Sequence, residues 1–226
     1  EWRPEKGGFV HYRHDPTHPS SISDDRLTRI FQDQGDVLWV GTFNGLNKWN
    51  YVSDAFDYLR VEQGSSSELS GNIITVLQEG ISDIIWIGVY GGGLNRIDLA
   101  SGETKHFNHS ADDQASLSDD RVMALLVDHD QSVWVGTRNG GLNHLDRKTG
   151  RFTRYQHDPK DANSLSSNSI TSILRDNQGT LWVGTYGGGL NRFDQNDKSF
   201  RTYRNDPEHA STLSSDRITA IYQDRS

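Results

Sequence analysis

Ser164-Leu-Ser-Ser-Asn-Ser-Ile-Thr-Ser-Ile-Leu-Arg-Asp-Asn-Gln-Gly-Thr-Leu-Trp-Val-Gly-Thr-Tyr-Gly-Gly-Gly-Leu-Asn-Arg-Phe-Asp-Gln-Asn-Asp-Lys-Ser-Phe-Arg-Thr-Tyr203 is the stretch on which the rest of the chain is patterned. Its tryptophan recurs at Trp39, Trp86, Trp134 and Trp182, in steps of 47, 48 and 48. The apolar centre of its Ser-x-Ser lead-in recurs at Ile22, Leu69, Leu117, Leu165 and Leu213 with the same steps plus one more of 48. The single short step has a location: Phe43-Asn44-Gly45 stands where other copies have four residues such as Tyr186-Gly187-Gly188-Gly189. A deletion confined to a Gly-rich turn implies regular elements on either side of it.

Each copy divides into four segments, named A to D by their example in the last full copy: A Ile170–Arg175, B Leu181–Thr185, C Leu190–Asp194 and D Phe200–Arg204. They are short, rich in Ile, Val, Leu, Trp, Tyr and Thr, and bounded by Gly, Asn and Asp, the signature of β-strands joined by tight turns. Segment A has apolar residues three apart (Ile170 and Ile173, Leu27 and Ile30). One helical turn gives that spacing, but the segment is too short for a helix, so an inner strand buried on both faces is expected. Four antiparallel strands repeated about every 48 residues give an all-β chain built as a β-propeller. Full repeats are expected over about 21–66, 67–114, 115–162 and 163–210, with partial blades over 1–20 and 211–226. The chain is read as starting late in a strand C and stopping after a strand A. A seven-bladed ring needs far more than 226 residues at this period, so an open arc is expected, with blade edges that favour self-association.

Composition removes several function classes. The net charge is −8 with both signs interspersed, so nucleic acid is not an expected partner. There is no cysteine, which excludes thiol catalysis and Cys-ligated metal. No apolar run is long enough to insert into a bilayer.

The Leu181-Trp-Val-Gly-Thr185 and Gly-Gly-Leu-Asn-Arg-Phe-Asp194 units, the Phe200-x-x-Tyr203 segment, the Asp206-Pro207 connector and the Ser-Leu-Ser lead-in together resemble the two-component regulator propeller repeats. The resemblance implies an extracytoplasmic, seven-bladed sensor propeller in a membrane-anchored protein. Any histidine kinase or diguanylate cyclase activity would then lie outside these residues.

The remaining motifs have ordinary structural readings. Tyr90-Gly-Gly-Gly93 and Tyr186-Gly-Gly-Gly189 run into strand C, not into a helix, so they are turns needing positive φ and not phosphate loops. Asn47, Asn95, Asn143 and Asn191 occupy one position in every unit and are expected to satisfy a neighbouring backbone group. His14, His109 and His157 lie two residues after segment D in different blades, a spacing that does not build a metal site. Asp25, Asn72, Asp120, Asn168 and Asp216 are expected to cap the turn into strand A. Asn177-Gln-Gly-Thr-Leu-Trp182 resembles the Asp-box turn of sialidase-type propellers, and carboxylates are abundant, so a carbohydrate-active or carbohydrate-binding propeller is the alternative reading. No catalytic residue, metal or cofactor is assigned.

Function sits where the copies differ. In an antiparallel A-B-C-D blade, the B–C turn and the D–A connector share one end. With segment A innermost, Arg26, Arg121 and Arg217 surround the mouth of the channel, and Phe43, Tyr90, Arg138 and Tyr186 join them from the B–C turns. These seven residues are the candidate ligand site, for a small molecule, a glycan fragment or a protein partner.

Overall fold

The computed structural model describes residues 2–4, 7–59, 69–128 and 130–224. Alternation and turn chemistry generate eighteen strands and no α-helix among them. Blade 1 comprises β3 (Leu27–Gln32), β4 (Leu38–Thr42), β5 (Gly45–Asn50) and β6 (Ala55–Leu59). Blade 2 comprises β7 (Ile74–Glu79), β8 (Ile84–Val89), β9 (Gly93–Asp98) and β10 (Thr104–Phe107). Blade 3 comprises β11 (Val122–Val127), β12 (Val133–Thr137), β13 (Leu142–Asp146) and β14 (Arg151–Tyr155). Blade 4 comprises β15 (Ile170–Arg175), β16 (Leu181–Thr185), β17 (Leu190–Phe193) and β18 (Phe200–Tyr203). Each is a four-stranded antiparallel meander in chain order. The expected boundary between residues 66 and 67 lies outside the described residues.

The first strand of every blade packs against the first and second strands of the blade before it: β7 on β3 and β4, β11 on β7 and β8, β15 on β11 and β12. Segment A is therefore the innermost strand, and the cores lie between blades. Trp39 packs with blade 2 residues such as Ile74 and Ile85, Trp86 with Val122 and Val133, and Trp134 with Ile170 and Phe193.

The glycine before the last residue of each second strand is the slot for the next blade. A Cβ on Gly41 would lie 2.8 Å from Ile74, and one on Gly88 2.7 Å from Val122. On Gly136 it would lie 2.8 Å from the Ile170 Cβ, and on Gly184 2.6 Å from Ile218. This recurrent glycine thus answers a close approach between blades.

Segment A departs from expectation in one respect. It is half-buried rather than buried on both faces, and β3 is largely exposed. Its three-residue spacing has a specific cause. A register shift between its first and third residues (Leu27/Arg29, Ile74/Val76, Val122/Ala124, Ile170/Ser172) marks a β-bulge in every inner strand. The extra residue returns Ile170 and Ile173 to one side, where both meet the same inter-blade core.

The chain ends differ from the expected strands in extent. β1 (Trp2–Arg3) and β2 (Gly8–Phe9) pair as a C–D hairpin, with Trp2 opposite Phe9 as Trp49 is opposite Phe56. By comparison with Phe200–Arg204 the first segment D is expected over Phe9–Arg13, and here it stops at Phe9. Among the described residues, segment 217–223 joins no ladder beyond an isolated Tyr186–Arg217 bridge. It is held on blade 4 by the Ile218 amide donating to the Thr185 carbonyl (3.0 Å) and by Thr171 Oγ1 donating to the Ile218 carbonyl (2.6 Å). Leu27 and Ile30 stay 51% and 65% exposed on the first blade, so the fourth blade does not cover them and the arc is open there.

Candidate functional site

Two repeated devices fix the end of the blades that carries the B–C turns and the D–A connectors. The first is the buried asparagine of strand C. Asn143 Oδ1 accepts the Ser118 amide (3.0 Å), while its Nδ2 donates to Ser118 Oγ (2.8 Å) and the Val135 carbonyl (3.2 Å). Asn47 and Asn191 make the same three bonds in their blades, and Asn95 makes the two to Ser70. All four are fully buried, as groups that satisfy otherwise orphaned polar atoms must be.

The second device closes the connector. His14, His109 and His157 each place Nδ1 2.7–2.9 Å from the carbonyl of Ile22, Leu117 and Leu165, so Nδ1 carries the proton. Their backbone amides donate to Asp25, Asp120 and Asn168. The repeated Asp/Asn therefore caps the chain leaving strand D, on the far side of the connector from the turn into strand A where a cap was expected. In the fifth copy Asn205 takes the histidine's place, with its amide on Asp216 and its side chain on the Leu213 carbonyl.

The Gly-rich turns stitch one blade to the next. The amides of Gly91 and Gly93 donate to the Asp120 carbonyl, Gly141 to Asn168, and Gly187 and Gly189 to Asp216, at 2.8–3.0 Å. Gly93 sits at φ +74, and a Cβ there would collide with the Phe107 carbonyl oxygen.

On this frame the candidate residues meet in pairs. The Arg26 guanidinium lies over the Phe43 ring, 4.7 Å from its centre, and Arg217 lies over Tyr186 at 5.1 Å. Tyr90 bridges to Arg121 along the backbone, and the Arg138 amide donates to the Arg121 carbonyl (2.9 Å). The Arg26–Phe43 pair lies within one blade, whereas Tyr90–Arg121 and Tyr186–Arg217 cross blade junctions. Phe43, Tyr90 and Tyr186 are 40%, 37% and 54% exposed, so the row is an open surface and not an enclosed pocket. Arg138 is exposed beside it.

Two of the arginines carry a carboxylate clamp that the motif did not announce. Arg26 donates Nε and Nη2 to Asp24 (3.0 and 2.7 Å), and Arg121 does the same to Asp119 (2.9 and 2.8 Å). The Arg26 hydrogen bond holds the Asp24 carboxyl down to about 2. At Asp119, burial works upward, but the bonds from Arg121 and the charge beside it outweigh that and the carboxyl is held low. At the third position the acid is replaced by Ser215, whose Oγ accepts the Arg217 amide (3.1 Å). Among the described residues Arg217 has no carboxylate partner.

Geometry and repeat chemistry together define a multi-bladed β-propeller array whose candidate residues share one end. The two-component regulator propeller family model matches residues 116–139 and 164–187, in each case from the serine that closes the connector to the B–C turn. In these two copies the chain is similar to the two-component regulator propeller repeats. A comparison with curated proteins returns no match. Among solved structures, the extracellular domain of the hybrid two-component system BT3049 from B. thetaiotaomicron is 27% identical over 80% of this chain and 25% of its own, with a TM-score of 0.71. That of the hybrid two-component system BT4673 from the same organism is 25% identical over 88% of this chain and 25% of its own, also at 0.71. PorZ, a surface component of the type-IX secretion system of Porphyromonas gingivalis, shares the fold at 18% identity over 95% of this chain and 32% of its own, with a TM-score of 0.67. The chain spans about a quarter of the length of the two hybrid-system domains. Among the described residues no helix is long and apolar enough to cross a membrane.

Proposed function

We propose that these residues form the ligand-sensing propeller region of a bacterial transmembrane signalling protein, a two-component sensor kinase or diguanylate cyclase. In this reading the region is periplasmic or otherwise extracytoplasmic and performs no catalysis itself. The carrying observation is the row of guanidinium–aromatic pairs at the B–C and D–A end. The Arg217–Tyr186 stack and the Tyr90–Arg121 backbone bridge straddle blade junctions, so a ligand gripping them gains or loses affinity with the angle between blades, which is what a sensor requires. The likeness to extracellular domains of hybrid two-component systems supports the same reading. The ligand is a small molecule or glycan fragment with a group for the unclamped Arg217 and a face for Tyr186.

The test is a thermal-shift screen of small acids and glycan fragments on the intact parent protein, since a ligand that binds only the folded state raises its Tm. A hit whose shift disappears in Arg217→Ala and shrinks in Arg121→Ala supports the proposal. Hits indifferent to Arg26, Arg121 and Arg217 would remove the site. Reproducible glycoside hydrolysis, lost on replacing one carboxylate, would favour the carbohydrate-active alternative.

A further inference from the structure

Each blade carries its tryptophan in the second strand, and the residue opposite it on the third strand decides what covers the ring. That residue is Lys48 in blade 1, Arg96 in blade 2 and Arg192 in blade 4, all long cations. In blade 3 it is His144, stacked on Trp134 with ring centres 4.2 Å apart. One strand further out the other blades place Asp57, Lys105 and Arg201, and blade 3 places Thr153. The shorter pair accompanies a cavity of about 340 Å³ between blades 3 and 4. It opens at the A–B and C–D end of the strands, opposite the candidate site. Ligand pockets start at roughly 300 Å³, so this one suits a small, ring-sized molecule.

Its lining has spare donors. Arg175 spends Nε on Asp128 and Nη1 on the Gly179 carbonyl (2.8 Å), and its Nη2 makes no hydrogen bond among the described residues. Lys198, also in the lining, forms no ion pair among them. Against these stands one lining carboxylate, Asp130, already accepting the Ser132 amide at 2.8 Å. Burial keeps His144 below its ordinary range, so it is neutral at pH 7 and offers a ring nitrogen to a hydroxyl.

Blade 3 differs in one more way. Asp33 and Asp176 accept the indole N–H of Trp39 (2.8 Å) and Trp182 (2.7 Å). Asp128, at the matching position, is drawn to Arg175 of the next blade, and Trp134 Nε1 is buried without a partner among the described residues.

We infer that this cavity binds a small polyhydroxy carboxylate, its carboxylate on Arg175 and Lys198 and its hydroxyls on Asp130 and His144. A carboxylate that shares Arg175 competes for it with Asp128 of the neighbouring blade. The site therefore links occupancy to the packing of blades 3 and 4. It is independent of the Arg217 surface.

Titration calorimetry of this chain with D-glucuronate and D-glucose, which differ only in the carboxylate, tests the inference. Glucuronate is expected to bind at least about tenfold more tightly than glucose, the worth of a charge-assisted hydrogen bond. Lys198→Met should lose most of that difference, and Arg217→Ala none of it. Thr153→Arg, which restores the bulk found in blade 4, should abolish binding with Tm retained. Equal binding of the two sugars, no heat with glucuronate, or undiminished binding in Lys198→Met would each overturn it.

Discussion

Gly136→Ala isolates the contact that sets the distance between blades. The new Cβ would lie 2.8 Å from the Ile170 Cβ and 3.2 Å from the Ala124 Cβ. Carbon atoms rest about 3.5–4.0 Å apart, so one or both strands must move by close to ~1 Å. No rotamer change relieves this, because the obstructing Ile170 atom is fixed to the backbone of the next blade. Overpacking of this kind costs about 1–3 kcal/mol. The lost flexibility of the unfolded chain returns about 0.4–1 kcal/mol. The net expectation is destabilisation of about 1–2 kcal/mol, the overpacking term outweighing the entropic gain. Equilibrium urea denaturation measures it as a fall in midpoint at unchanged slope. Repeating the substitution in an Ile170→Ala background should give less than the sum of the two effects, since the two side chains touch. A Gly136→Ala protein as stable as the parent, or strict additivity with Ile170→Ala, would refute the idea that this glycine is kept for inter-blade contact.

Further outcomes follow from the same geometry. Trp134→Ala should cost about 3–5 kcal/mol by the same denaturation assay, because the ring sits in the core between blades 3 and 4. Unchanged stability would make it an exposed binding residue instead. Asn143→Ala strands the half-buried Ser118 amide and should cost about 1–3 kcal/mol for that group alone. The Asp24–Arg26 clamp has a pH signature: the carboxyl is held below its unfolded value, so its contribution is complete above about pH 4 and is lost as the pH falls toward about 2. Asp24→Asn should flatten that part of the acid-unfolding curve. Light scattering on this chain alone should show self-association through its open blade faces, and a strict monomer at all concentrations would argue against it.

The strand pattern was legible because each segment keeps its own turns and its own apolar set. Strands β15 and β16 run over the residues marked as segments A and B, and C and D differ by one residue each. The bulge was not legible. An i, i+3 pair such as Ile170 and Ile173 looks the same whether it comes from a helical turn or an interrupted ladder, and only the partner strand distinguishes them. The arginine row could be placed on one end from connectivity alone. The Asp24 and Asp119 clamps could not, because they depend on how two residues either side of a bend turn toward each other. The blade 3–4 cavity was hidden for a related reason. His144 and Thr153 are unremarkable singly, and their shortness acquires meaning only once the register sets them side by side over Trp134.

The amides of Gly91, Gly141 and Gly187 all reach forward to a carbonyl of the following blade. Every junction is thus built from the same parts, and among the described residues the main contacts of each blade are with its immediate neighbours. Stability in such an array is a sum of intrinsic blade terms and nearest-neighbour coupling terms. Melting then proceeds junction by junction, and amide hydrogens of a blade coupled on both sides exchange more slowly than those of a blade with one neighbour. A ligand that tightens one junction protects the two blades that share it and leaves the distant ones to fray as before.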